Sequence, residues 1–135
     1  MNNARQIKRQ QWCRLALWLL LAGQLLAMTY LAVKPALAVM TFSNSDKLLH
    51  FIAYFTLMIW PFFLFKQQSA FLKSALMAFM YGIMIELMQA TLPNRFCSMA
   101  DIAANLTGIV LLITVVQCSI LQQAKQWFHV DAANP

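Results

Sequence analysis

Acidic side chains are scarce in this 135-residue chain, which has four Asp and Glu in all against ten Lys and Arg. Charged residues make up 10% of the total, whereas a soluble globular domain carries about 25%. With 61% hydrophobic residues, an ordinary soluble domain is excluded. Glycines and prolines number three and four, and no segment is repeated or of low complexity. The three cysteines include no Cys-x-x-Cys pair and the two histidines lie far apart, so the spacing of a structural zinc site is missing. The net charge of +6 does not mark a nucleic-acid binder. The basic residues flank apolar runs instead of forming a dense stripe among stacking aromatics.

What is abundant is apolar sequence in long pieces. Four stretches meet the spanning criterion of roughly 17–25 mostly apolar residues: Leu15–Val33, Leu48–Phe65, Ser74–Leu92 and Ile102–Leu121. Basic residues bound the first three: Arg14 and Lys34, Lys47 and Lys66, Lys73 and Arg95. No joining loop is long enough to fold separately, so residues 1–135 are expected to form one all-α membrane domain of four transmembrane helices. The tail from Gln122 to Pro135 reads as surface or loosely ordered.

Lys and Arg in short loops set orientation, because cytoplasmic loops hold the excess. Arg5, Lys8, Arg9, Arg14, Lys66, Lys73 and Lys125 fall on one side, and Lys34, Lys47 and Arg95 on the other. Both termini are therefore expected in the cytoplasm. Ala36-Leu37-Ala38 resembles a signal-peptide cleavage site. However, the preceding apolar run exceeds the usual 7–15 residues and Lys34-Pro35 intervenes, so the segment is expected to stay as the first span. Cys13 and Cys118 then face the reducing side and Cys97 the other, and no intramolecular disulfide is expected.

The few polar residues within these segments fall at one end of three of them. Residues three and four apart share a helical face. Asp46, Lys47, His50 and Tyr54 share one stripe, Gly82, Glu86 and Gln89 a second, and Asp101, Asn105 and Gly108 a third. Met77, Met84 and Met88 lie nearly opposite Glu86 and are expected to face lipid or a soft packing surface, turning Glu86 towards protein. Ala100, Ala104 and Gly108 give small-residue spacing for close helix approach. Glu86 precedes Pro93 by seven residues, which places it roughly 10 Å below the outer helix end at about 1.5 Å per residue. Ionisable groups in lipid cost about 2.5–3.5 kcal/mol at a helix centre, so such a cluster is a functional-site hypothesis.

Plainer roles exist for each residue. Asp46 and Asp101 can complement helix N-termini, with Ser45 or Asn44 as the cap for the former. Lys47 can snorkel to the interface, His50 can be a satisfied packing residue, and Arg95 a solvated loop charge. Glu86 would need a structural ion pair. The tryptophans (Trp12, Trp18, Trp60 and Trp127) include interface anchors, Pro61 should kink the second helix, and Gln24 and Gln117 read as interhelical hydrogen-bonding amides.

The run Asp46-Lys47-Leu48-Leu49-His50-Phe51-Ile52-Ala53-Tyr54, then Glu86-Leu87-Met88-Gln89, then Arg95 through Asp101 to Asn105 and Gly108, resembles the VanZ-like family of bacterial membrane proteins. The resemblance covers the last three spans and the loops joining them. It implies a small multi-pass protein of the bacterial cytoplasmic (inner) membrane with a role at the cell envelope. The family's founding member is associated with resistance to the glycopeptide teicoplanin. The chain departs from the pattern at Leu112, where many relatives are expected to carry a small residue, which implies looser packing around the fourth helix.

These readings lead to a binder of an anionic envelope lipid or lipid-linked cell-wall intermediate at the extracytoplasmic side. The expected ligand-binding residues are Asp46, Lys47, His50, Glu86, Gln89, Arg95, Asp101 and Asn105, with the cations meeting phosphate and the acids and amides orienting them. One alternative is a membrane-embedded hydrolase or transferase, with His50 as base, Glu86 or Asp101 as its orienting group or acid, and Lys47 and Arg95 stabilising phosphate charge. The other is an accessory subunit whose polar cluster locks its helices. No activated nucleophile is visible, and neither a cofactor nor a metal is expected, since one histidine with two separated carboxylates is a weak ligand set. A homo-oligomer or a membrane partner protein is compatible with the chain; nucleic acid is not expected.

Overall fold

The computed structural model describes residues 2–34, 45–93, 96–117 and 119–128, which are mostly helical with no strand among them. In chain order the helices are α1 (Asn2–Val33), α2 (Ser45–Leu57), α3 (Ile59–Leu64), α4 (Gln68–Ala90), α5 (Met99–Val115) and α6 (Ser119–Phe128). Three stretches are long and apolar enough to cross a membrane: Arg5–Val33, Ser45–Leu64 across α2 and α3, and Gln68–Ala90. Met99–Val115 is apolar but shorter. At 17 residues it reaches about 26 Å, a little under the roughly 30 Å of a bilayer core.

Local chemistry explains the breaks. Pro61 has no N–H to give to the carbonyl one turn earlier, and the helix is interrupted at Met58 and resumes at Ile59. The proline sits in the first turn of α3, where its missing donor is tolerated, and Phe62 N–H still reaches the Met58 carbonyl at 3.3 Å. The kink expected from Pro61 therefore appears as this interruption. α4 ends through Thr91, which is followed by Pro93. α5 starts at a serine cap, the Ser98 hydroxyl accepting from Asp101 N–H at 3.2 Å.

The fourth apolar stretch departs from expectation. Instead of one helix over Ile102–Leu121, α5 stops at Val115 and a separate α6 follows. The turn is tightened by Gln117 N–H to the Thr114 carbonyl at 3.2 Å, and the Gln122 side chain satisfies the Val116 carbonyl at 2.8 Å. Part of the supposedly loose tail is thus helical. Its Lys125 is buried, with the ammonium 4.9 Å from the Phe62 ring centre and 5.8 Å from that of Phe71. Burial pulls the Lys125 ammonium below its ordinary range, because desolvation penalises the charged form.

The bundle has two storeys. At one end lies an apolar core that includes Leu57, Met58, Phe62, Phe71, Ala75, Ile109, Leu112 and Val116; at the other lie the polar ends of α2, α4 and α5. Between them α2 and α5 cross at Gly108, where a methyl group would run into the Phe51 carbonyl and come within 3.0 Å of Phe55 N. Leu112 is 4% exposed and part of the core, so the bulky residue fills space there and the close crossing at Gly108 persists one turn away. α1 is mostly exposed and attaches by polar clasps. Gln24 donates to the Ala53 carbonyl (2.9 Å) and Thr56 hydroxyl (2.8 Å) and accepts from Trp60 Nε1 (2.6 Å). Tyr81 donates to the Leu25 carbonyl and meets the Thr29 hydroxyl. The interhelical role expected of Gln24 is thus observed, whereas Gln117 lies exposed beyond the end of α5.

Candidate functional site

α2, α4 and α5 each contribute one ionisable group to a common point. His50, Glu86 and Asp101 each place one side-chain donor atom within 4.8 Å of those of the other two. Glu86 is completely buried, Asp101 nearly so at 7% exposure, and His50 partly open, its side chain 19% exposed. Helix geometry produces this convergence. Glu86 sits on the face of α4 opposite Met77 and Met84, which are exposed as expected, while Met88 is half-buried. α4 ends at Ala90, so Glu86 lies about 6 Å below the helix end, shallower than counting back from Pro93 implied.

Each group is held from behind. His50 Nδ1 faces Asn105 Oδ1 at 3.0 Å. An amide oxygen accepts, so Nδ1 is the donor here, and in the neutral ring Nε2 is the atom that carries the lone pair and faces Glu86. Nε2 stands 3.7 Å from Glu86 Oε1. The second carboxylate oxygen, Oε2, accepts the Ser98 backbone N–H at 3.2 Å, which seats Glu86 at the N-terminus of α5, where the helix dipole favours negative charge. Asp101 occupies the first turn of the same helix. Below them lie Tyr54, at 1% exposure, and Asn105. A methyl group on Gly82 would come within 3.0 Å of both Tyr54 Oη and Asn105 Nδ2, so glycine lets α4 approach this floor. Among the described residues, the buried polar atoms here with no hydrogen-bond partner include Tyr54 Oη, Asp101 Oδ1 and Asn105 Nδ2.

The other expected site residues are placed differently. Gln89 is buried but directs its amide to the Ala32 carbonyl of α1 at 3.4 Å. Asp46 and Lys47 pair with each other, Lys47 Nζ lying 3.4 Å from Asp46 Oδ1, with side chains 57% and 37% exposed. They mark the rim rather than the buried group. Arg95 lies outside the described residues, as do Cys118 and the side chain of Trp127. Cys13 is half-buried and Cys97 exposed, both as free thiols. Sequence reasoning missed Ser98, whose amide positions Glu86. The spacing Ser98-Met99-Ala100-Asp101 is that of a capping box and was the available signal.

The arrangement can accept a proton or a cation between the imidazole and the carboxylates, or present buried donors and acceptors to a polar head group. No curated protein and no solved structure matched the chain. The sequence model described as VanZ/LLP1 matches residues 5–121, which takes in every residue of this site, and the chain is a membrane protein belonging to the VanZ/LLP1 family.

Proposed function

We propose that this protein is a four-span bundle of the bacterial cytoplasmic membrane, with both termini in the cytoplasm, that binds the head group of an anionic envelope lipid or lipid-linked cell-wall precursor from the extracytoplasmic side. The observation that carries this reading is the trio of partnerless buried atoms, Tyr54 Oη, Asp101 Oδ1 and Asn105 Nδ2. A buried polar atom left unsatisfied costs about 1–3 kcal/mol, so a floor with three of them is completed by something that is not part of the described fold. His50, partly open, is the entrance. Lys47 on the rim, with Arg95 between the third and fourth spans in sequence, supplies positive charge for phosphate, and the buried amide and carboxylates take hydroxyl groups. Such binding would act at the envelope, and the founding member's association with glycopeptide resistance makes the antibiotic response a phenotype to examine, without implying that this chain confers resistance.

Native mass spectrometry of the protein released in mild detergent tests it, comparing wild type with Arg95→Ala and Asp101→Asn after each is shown to be folded. A defined anionic lipid held by wild type and lost from the variants is the expected result. Equal retention in all three, or none in any, refutes the reading. The approach of His50 to Glu86 and Asp101 favours a second reading, hydrolysis or transfer on the bound lipid with His50 as general base. Product accumulating with wild type but not with folded His50→Ala would establish it.

A further inference from the structure

We propose that His50, Glu86 and Asp101 bind one divalent transition-metal ion of the zinc type. This goes beyond head-group binding and stands whether or not a lipid is bound. The chain lacks the sequence spacing of a zinc site because its ligands come from three different helices. Folding cancels the separation that made the two carboxylates look unrelated, and brings one donor atom from each residue within 4.8 Å of the others.

The separations are those of ligands rather than of hydrogen-bonded partners. His50 Nε2 and Glu86 Oε1 are 3.7 Å apart, beyond the roughly 2.7–3.2 Å of a hydrogen bond. Two donors each about 2.1 Å from a shared ion lie about 3.4 Å apart at the tetrahedral angle and at most about 4.2 Å apart. A small side-chain shift therefore brings all three donors onto one ion.

Orientation points the same way. The Asn105 oxygen at 3.0 Å from His50 Nδ1 takes that N–H and leaves Nε2 as the ligand atom of the neutral ring, the outer-shell arrangement that accompanies metal-bound histidines. The Ser98 N–H occupies Glu86 Oε2 and directs the other oxygen inward. Asp101 supplies the independent observation. The residue is 7% exposed, and its Oδ1 has no hydrogen-bond partner among the described residues. A buried carboxylate such as that of Asp101 is costly unless it is paired or coordinates a metal. An imidazole among only three protein ligands suits zinc, iron or manganese better than calcium, which takes six to eight oxygens. Three protein ligands also leave a coordination position open on the side of the partly exposed His50, where water or a phosphate oxygen could bind.

The test uses the full chain in mild detergent with Cys97→Ser, which removes the exposed thiol near the site. The protein is stripped with a chelator and dialysed against zinc chloride alone, and metal per chain is measured by mass spectrometry. The expected result is one zinc per chain, a higher thermal midpoint with zinc, and at least a tenfold loss of affinity in Asp101→Asn and in Glu86→Gln. Cobalt in place of zinc should give visible absorption that His50→Gln alters, a readout that survives if one carboxylate variant fails to fold. Wild type that takes up no zinc, or variants that bind it equally, would overturn the site. Lipid retention is measured separately, so failure of the metal and failure of the lipid reading are distinguishable.

Discussion

Replacing Gly108 with alanine tests whether the close crossing of α2 and α5 holds the polar end together. The new methyl group would meet the Phe51 carbonyl oxygen inside contact distance, and Phe55 N at 3.0 Å and Phe51 C at 3.3 Å. These are backbone atoms and cannot rotate away, so α5 must move off α2 by about 1 Å to restore ordinary van der Waals separation. Overpacking of this kind costs about 1–3 kcal/mol, with a backbone clash near the upper end. Alanine recovers about 1 kcal/mol of helix propensity. The net loss is about 2 kcal/mol, roughly a thirtyfold change in the folding equilibrium. The shift also displaces Asn105, three residues earlier on α5, from His50. Two other glycines calibrate the measurement. Gly23 has nothing within 4 Å of the new methyl position, so Gly23→Ala should be neutral or stabilising by up to about 1 kcal/mol. Gly82→Ala meets side chains only and should fall between. Thermal unfolding in mild detergent, followed by loss of the monodisperse species, gives the order. If Gly108→Ala is as stable as Gly23→Ala, the inferred crossing is wrong.

Two further predictions concern the supports of the bundle. Gln24→Leu removes an amide with three interhelical hydrogen bonds, worth about 0.6 kcal/mol each on average in membrane proteins. It should destabilise by about 1–2 kcal/mol and shift the fluorescence of Trp60, and an unchanged midpoint would remove α1 anchoring from the account. Lys125 titrates below its ordinary value of 10.5 when α6 is docked. Below the folded pKa the charge is present whether α6 is docked or not, so its desolvation cost is fully felt. As pH rises from there towards 10.5 the docked form loses its proton first, so docking should tighten. Spin labels on α6 and α3 should report that tightening in wild type and none in Lys125→Met.

Much of the site was legible because polar residues in a lipid-facing sequence are conspicuous and helical spacing is rigid. His50, Glu86, Asp101 and Asn105 could be assigned to inward stripes from their spacing alone. Asp46 and Lys47 share the His50 stripe yet lie at its outer end, where solvent competes with any interhelical partner, and periodicity carries no information about depth. Gln89 falls one turn from Glu86 and so shares its stripe, but its amide meets α1, a neighbour that periodicity does not identify. Ser98 acts through its backbone N–H, which every residue but proline has, so side-chain chemistry did not flag it. α6 was hidden by its glutamines. Its order depends on a lysine lying over two phenylalanines distant in sequence, and on Gln122 turning back to a helix-end carbonyl.

The clasps on α1 act as a position gauge. Gln24, the Leu25 carbonyl with Thr29, and the Ala32 carbonyl engage partners on α2, α3 and α4, with the first and last eight positions apart, about 12 Å of helix. Apolar surfaces can slide in lipid with little change in energy, but these contacts cannot, since a one-residue displacement moves every donor and acceptor by about 1.5 Å and turns it by about 100°. The first helix therefore docks in one axial register or in none. An insertion or deletion of a single residue between Gln24 and Ala32 should uncouple the two ends of its attachment, even though it would leave the hydrophobicity of the span almost unchanged.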